Sequence, residues 1–88
     1  MTRYELRVAG SAARSLDRLP EAVAAAIVEF MTGPLSNDPT RVGKPLKHQL
    51  AGYWSARRGA YRVVYALDKE ARLVLVVRID HRADVYRP

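Results

Sequence analysis

Residues 52–87 read GYWSARRGAYRVVYALDKEARLVLVVRIDHRADVYR, and their pattern sets the fold class. Apolar residues recur at every second position, the spacing of strands with one buried face and one free face. In the middle run Tyr61, Val63, Tyr65 and Leu67 fall on one side, and Arg62, Val64 and Ala66 on the other. In the last run Leu73, Leu75, Val77 and Ile79 alternate with Arg72, Val74, Val76, Arg78 and Asp80, and the wealth of Val, Ile and Leu suits a pleated, half-buried surface. The first run sets Trp54 and Ala56 toward the core against Tyr53, Ser55 and Arg57. A two-residue turn at Arg58-Gly59, with Gly59 at positive φ, then pairs Ser55 with Arg62. A second hairpin through Asp68, Lys69, Glu70 and Ala71 is expected to set Arg62 opposite Arg78. Facing like charges destabilise a sheet unless an anion or a carboxylate lies between them, so this free face reads as a phosphate site. The competing reading has the arginines extended into water, with their stems across the apolar stripe of Val64 and Val76.

Charge supports an anionic partner. The formal net charge is +6, and no Asp or Glu occurs between Pro39 and Leu67, where Arg41, Lys44, Lys47, Arg57, Arg58 and Arg62 stand. The rest of the chain is balanced, so this one segment holds the whole excess. Such asymmetry is the electrostatic footprint of a nucleic-acid or other polyanion binder, although a basic surface also serves plain solubility. The absence of cysteine rules out a disulfide framework, a thiolate metal site and a Cys nucleophile. The opening MTRYELRVAG lacks the apolar core of a signal peptide, and the apolar run from Ala22 to Val28 is far short of the ~20 residues that span a bilayer. A soluble, cytoplasmic protein with no membrane partner is expected.

Upstream, Tyr4, Leu6 and Val8 alternate with Arg3, Glu5 and Arg7 as a short strand. Ser11 is a candidate N-cap for a helix carrying Ala12, Ala13, Leu16 and Leu19 inward. Pro20 opens a second helix with an inward stripe of Val23, Ala26, Ile27, Phe30 and Met31, expected to end at Gly33-Pro34. Residues 35–51 hold several turn-formers and no sustained period, and are expected as an ordered loop, or a loop with one helical turn, anchored by Leu46 and Leu50. The expectation is an α+β fold: N-terminal strand, helical hairpin, then a three-stranded antiparallel meander, making one twisted sheet with the helices packed on it. The 88 residues form a single domain, 1–88, with one small core. His48 and His81 stand apart from any second ligand at metal spacing and read as surface residues. No glycine-rich phosphate loop and no Gly-x-Ser-x-Gly elbow occurs, so the chemistry on offer is basic and aromatic.

The element order, together with KPL at 44–46, RRGAYRVVY at 57–65 and HRADVY at 81–86, resembles the RelE/ParE superfamily of type II toxin–antitoxin toxins, on the RelE side. The resemblance covers nearly all the chain. It implies a ribosome-dependent mRNA endoribonuclease that cuts in the A site of the 70S ribosome and halts translation, restrained by a RelB-like antitoxin. It implies no cofactor and no metal: the ribose 2′-hydroxyl attacks the adjacent phosphate, leaving a cyclic phosphate and a free 5′-hydroxyl. In that scheme Arg62 aligns with the arginine of the Tyr-Arg strand and Arg82 with the one near the chain end. Tyr86 aligns with the terminal tyrosine, which stacks on the A-site base. The family archetype carries two lysines on the preceding strand where this chain has Tyr53 and Ser55, so the general base is open. His81, with an unperturbed pKa near neutrality, is one candidate; a histidine that merely finishes the strand is the other reading. Lys44 or Lys47, folded over the site, is a further candidate, with Arg57, Arg58 and Arg78 on ribosomal RNA phosphates and Tyr53 against a base. Trp54 is assigned to packing. The alternatives are a ParE-like inhibitor of DNA gyrase and a weakened toxin retained as a binding partner.

Overall fold

The computed structural model describes residues 3–81, in which five strands form a single sheet of order β1-β5-β4-β3-β2. Strand β1 (Glu5–Val8) runs parallel to β5 (Leu73–His81) at one edge. Strands β3 (Tyr53–Arg58), β4 (Tyr61–Asp68) and β5 form the antiparallel meander expected from the alternation. Strands paired in parallel need a long connection, and between β1 and β5 the chain runs through helices α1 (Gly10–Asp17) and α2 (Glu21–Phe30), on one face of the sheet, before it enters the meander. The core lies between them: Ala12, Ile27 and Met31 from the helical side meet Ala56, Val63, Tyr65, Val74, Val76 and Ile79. Each large apolar side chain so buried contributes roughly 1.5–3 kcal/mol. Val23 and Phe30 complete the expected helical stripe, and Trp54 packs on the core as assigned, with the Lys69 ammonium 5.7 Å from its ring centre.

Four local expectations are corrected. Helix α1 starts at Gly10 with Ala9 as its N-cap, so Ser11 lies inside it; its hydroxyl instead donates to the Val77 carbonyl at 2.8 Å. Helix α2 passes through Gly33-Pro34 as a wider turn over Met31–Leu35. Pro34 has no N–H to give to the preceding turn, and the Ser36 hydroxyl donates to the Met31 carbonyl at 2.6 Å, satisfying the loosened backbone. The basic segment is more ordered than a loop: it holds a short helix α3 (Pro39–Val42), a two-residue edge strand β2 (Lys44–Pro45) paired with β3, and a 3₁₀ turn at His48–Leu50. The first hairpin turns at Gly59-Ala60, pairing Arg57 with Arg62 and Ser55 with Val64. This moves the register by two residues, so the faces stay as read, and Gly59 has φ +62.

The second hairpin differs more. Asp68 pairs with Leu73 across a turn in which the Asp68 carboxylate accepts the Ala71 N–H at 3.0 Å and Arg72 takes φ 56. That is one residue longer than expected, and a one-residue slip exchanges the two faces of a strand. Val74 and Val76 therefore enter the core while Leu73 and Leu75 point away. A β-bulge between Val64 and Tyr65 leaves Val77 as the extra residue on β5 and restores the original parity beyond it, which returns Ile79 to the core. The Ser11 hydroxyl bonds the carbonyl of this extra residue.

Candidate nucleic-acid interface

The sheet face away from the helices carries the charge. Residues directly opposed across a ladder share a face, so the pairs Lys44 with Ser55, Arg57 with Arg62, Ser55 with Val64, and Arg62 with Asp80 bring four strands to one surface. Val42, Lys44, Ser55, Arg57 and Arg62 line a groove of about 410 Å³ there. Next to it, Leu50, Tyr53, Val64, Val77 and Arg78 line a shallower hollow of about 210 Å³, which places Tyr53 and Arg78 along the same track. Tyr53 is one of the exposed large apolar side chains, as its open-side assignment required.

Arg62 is the centre of this surface. Its side chain is 24% exposed, and its Nε is buried with no hydrogen-bond partner among the described residues. Burying a charged donor without a partner costs roughly 1–3 kcal/mol or more. The expected Arg62–Arg78 opposition is corrected: Arg62 faces Asp80, and Arg78 faces Val64. The Asp80 carboxylate lies 3.8 Å from an Arg62 terminal nitrogen and 2.8 Å from Arg78 Nε, so one acid holds two arginines on the face. Sequence reasoning did not single out Asp80. Its even number in the last run was the available signal, but only with the correct hairpin register.

Two predicted site residues are not brought to this face. His81 pairs with Tyr61 and meets its ring edge-on, centroids 5.0 Å apart, on the helix-facing side of the sheet. Arg58 also pairs with Tyr61 and lines an apolar groove of about 300 Å³ with Ala22, Val23, Ala26 and Ile27 of α2. Odd and even positions of a strand point to opposite faces, so neighbours in sequence are separated here by the thickness of the sheet. Lys47 is exposed at the N-cap of the 3₁₀ turn and does not line the groove. Arg82 and Tyr86 lie outside the described residues. Among the described residues no three His, Asp or Glu side chains converge as metal ligands, and no helix is long and apolar enough to cross a membrane.

Residues 6–86 match the family model described as the ParE toxin of the parDE type II toxin–antitoxin system. The chain is 52% identical over 84 residues to toxin RelG of Mycobacterium tuberculosis, covering 96% of this chain and 97% of that one. It is equally 52% identical over 84 residues to toxin RelE of the same organism, covering 96% of this chain and 87% of the relative. The toxin–antitoxin complex RelBE2 of M. tuberculosis contains a chain that superimposes with a TM-score of 0.88 at 50% identity, over 91% of this chain and 99% of the other.

Proposed function

This chain belongs to the RelE branch of the RelE/ParE superfamily of type II toxins, and from that membership we propose that it is a ribosome-dependent mRNA endoribonuclease. The observation that supports the reading is the groove lined by Lys44, Arg57 and Arg62, three cations that converge on one face of the sheet. Attack by a ribose 2′-hydroxyl on its own phosphate requires three things: removal of the 2′-proton, positive charge around the pentacoordinate phosphorane, and a proton for the leaving 5′-oxygen. Arginine suits the second task because its planar fork meets two phosphate oxygens and keeps its charge. Arg62 takes that role, with Arg82 as its second contact. Lys44, Arg57 and Arg78 hold flanking phosphates, Tyr53 stacks on a base, and Tyr86 caps the A-site base and takes part in proton transfer. His81 is left out of the reacting groups because it lies against Tyr61 on the other side of the sheet.

A cognate antitoxin restrains the enzyme in this reading, as the RelBE2 assembly of the related toxin suggests. A strongly basic face suits an acidic segment that folds as it binds. Such a segment covers or displaces the region around Arg62, Arg82 and Tyr86.

The test is purified protein added to ribosomes programmed with mRNA and an empty A site, with mRNA ends mapped for wild type, Arg62→Ala and Tyr86→Phe. Cleavage within the A-site codon is expected, with Arg62→Ala reduced about 10²-fold or more, the order seen when a preorganised charge-stabilising donor is lost. Intact mRNA with active control ribosomes would refute the nuclease reading and favour gyrase inhibition, which a supercoiling assay reads directly.

A further inference from the structure

Strand β2 is two residues long and sits at the sheet edge, so its own ladder bonds hold it weakly. It nevertheless delivers Lys44 to the groove, directly across from Ser55. The fastening comes from the strand that carries Arg62. Tyr65, fully buried three residues beyond Arg62 on β4, donates its hydroxyl hydrogen bond to the Pro39 carbonyl at 2.5 Å. Gly43 lies against the same hydroxyl: a Cβ there would be 2.0 Å from Tyr65 Oη and 2.9 Å from the Ser55 carbonyl oxygen. Only glycine lets the chain pass this close. The segment 39–44 is thus seated at one end by a hydrogen bond and at the other by contact with the same phenol.

We propose that Tyr65, through Pro39 and Gly43, is a positioning residue that holds Lys44 beside Arg62 as a contact to the RNA phosphate. The inference rests on the nuclease reading above and deepens it. Tyr65 never touches the substrate, since it faces the core side of the sheet among Val63, Val76 and the helices. Burial pushes its phenol up to about 12, so it keeps its proton, and hence its bond to Pro39, through the neutral range. Lys44 supplies an ammonium from the edge strand at the point where β3 itself offers only the neutral Ser55.

The test is a double-mutant cycle on the single-turnover cleavage rate with programmed ribosomes, using Lys44→Ala, Tyr65→Phe, the double variant, Lys44→Arg and, as a control on the groove, Arg62→Ala. Lys44→Ala and Tyr65→Phe are each expected to lose roughly 10-fold, the scale of one charge-assisted hydrogen bond. Lys44→Arg should retain most of the rate. The double variant should fall no further than Lys44→Ala, because a displaced lysine and a missing one are equivalent. A second readout without the ribosome is the salt dependence of binding to a short single-stranded RNA oligonucleotide, where each single variant should lower the slope by about 0.7, one phosphate contact. Losses that multiply in the double variant, or an unchanged salt slope in Tyr65→Phe, would overturn the positioning role. Full activity in both single variants with loss in Arg62→Ala would overturn this inference alone. Intact mRNA with wild-type protein and active control ribosomes would remove the nuclease reading and this inference with it.

Discussion

Asp80 is the residue whose role depends most on its surroundings. It lies in register with Arg62, and its side chain is 17% exposed, so its charge acts on the groove with less screening than a surface acid would. It orders two arginines, yet it is also the anion already present where a phosphate would bind. Asp80→Asn should therefore bind a short single-stranded RNA several-fold more tightly at low salt, measured by fluorescence anisotropy, with the gain shrinking as salt rises. Weaker binding in the variant would mean that Asp80 acts by holding Arg62 in place and not by competing with phosphate. The reading of Arg62 itself followed from alternation alone. Its partner did not, because whether Arg78 or Asp80 stands opposite depends on the length of a turn and on a bulge.

At the level of elements, hairpins decide which side chains meet. The β3–β4 turn places Gly59 at φ +62 with nothing within 4 Å of the position a Cβ would take. A substitution there tests backbone conformation without a clash. Gly59→Val is expected to destabilise the protein by about 1–2 kcal/mol, the left-handed cost for a residue with a side chain, and at least that for a β-branched one. Urea unfolding checks this; an unchanged midpoint would mean that the turn rearranges freely. Glycine at 59 announced this turn in the sequence, although its exact place was off by one step. The β4–β5 turn gave no such signal, because the residue at positive φ is Arg72, and nothing local marks an arginine for that conformation. The same limit hid β2: two residues show no period, and Lys44–Pro45 becomes a strand only because β3 offers it an edge.

Across the whole molecule, the sheet is a partition. Arg57, Arg62, Arg78 and Lys44 stand on one side, while Arg58 and His81 stand with α2 and Tyr61 on the other. Tyr65 ties the core side to the basic segment, so global stability should register its ionisation. Its phenol is raised from 10.0 to about 12 by burial. Between those values the unfolded chain has released the proton that the folded protein retains, so stability falls as pH rises. The contribution is whole below pH 10 and is lost toward pH 12. Wild type should lose stability relative to Tyr65→Phe across that window in urea unfolding at fixed pH steps; a constant difference would show that the phenol titrates as if exposed.

Alternation of apolar and polar residues by itself determined the three-stranded meander, the helical stripe on α2 and the basic face that includes Arg57 and Arg62, since these depend only on the periods of strand and helix. The signature strings at 57–65 and 81–86 determined the family. Tertiary structure alone decided the parallel pairing of β1 with β5, the exchange of Val74 and Val76 into the core, the Asp80 bridge, the Tyr65 hydrogen bond to Pro39, and the removal of His81 and Arg58 from the groove. Each of these turns on which residue stands opposite which. That is set by turn length, bulges and packing between segments far apart in the chain, and no local pattern records it.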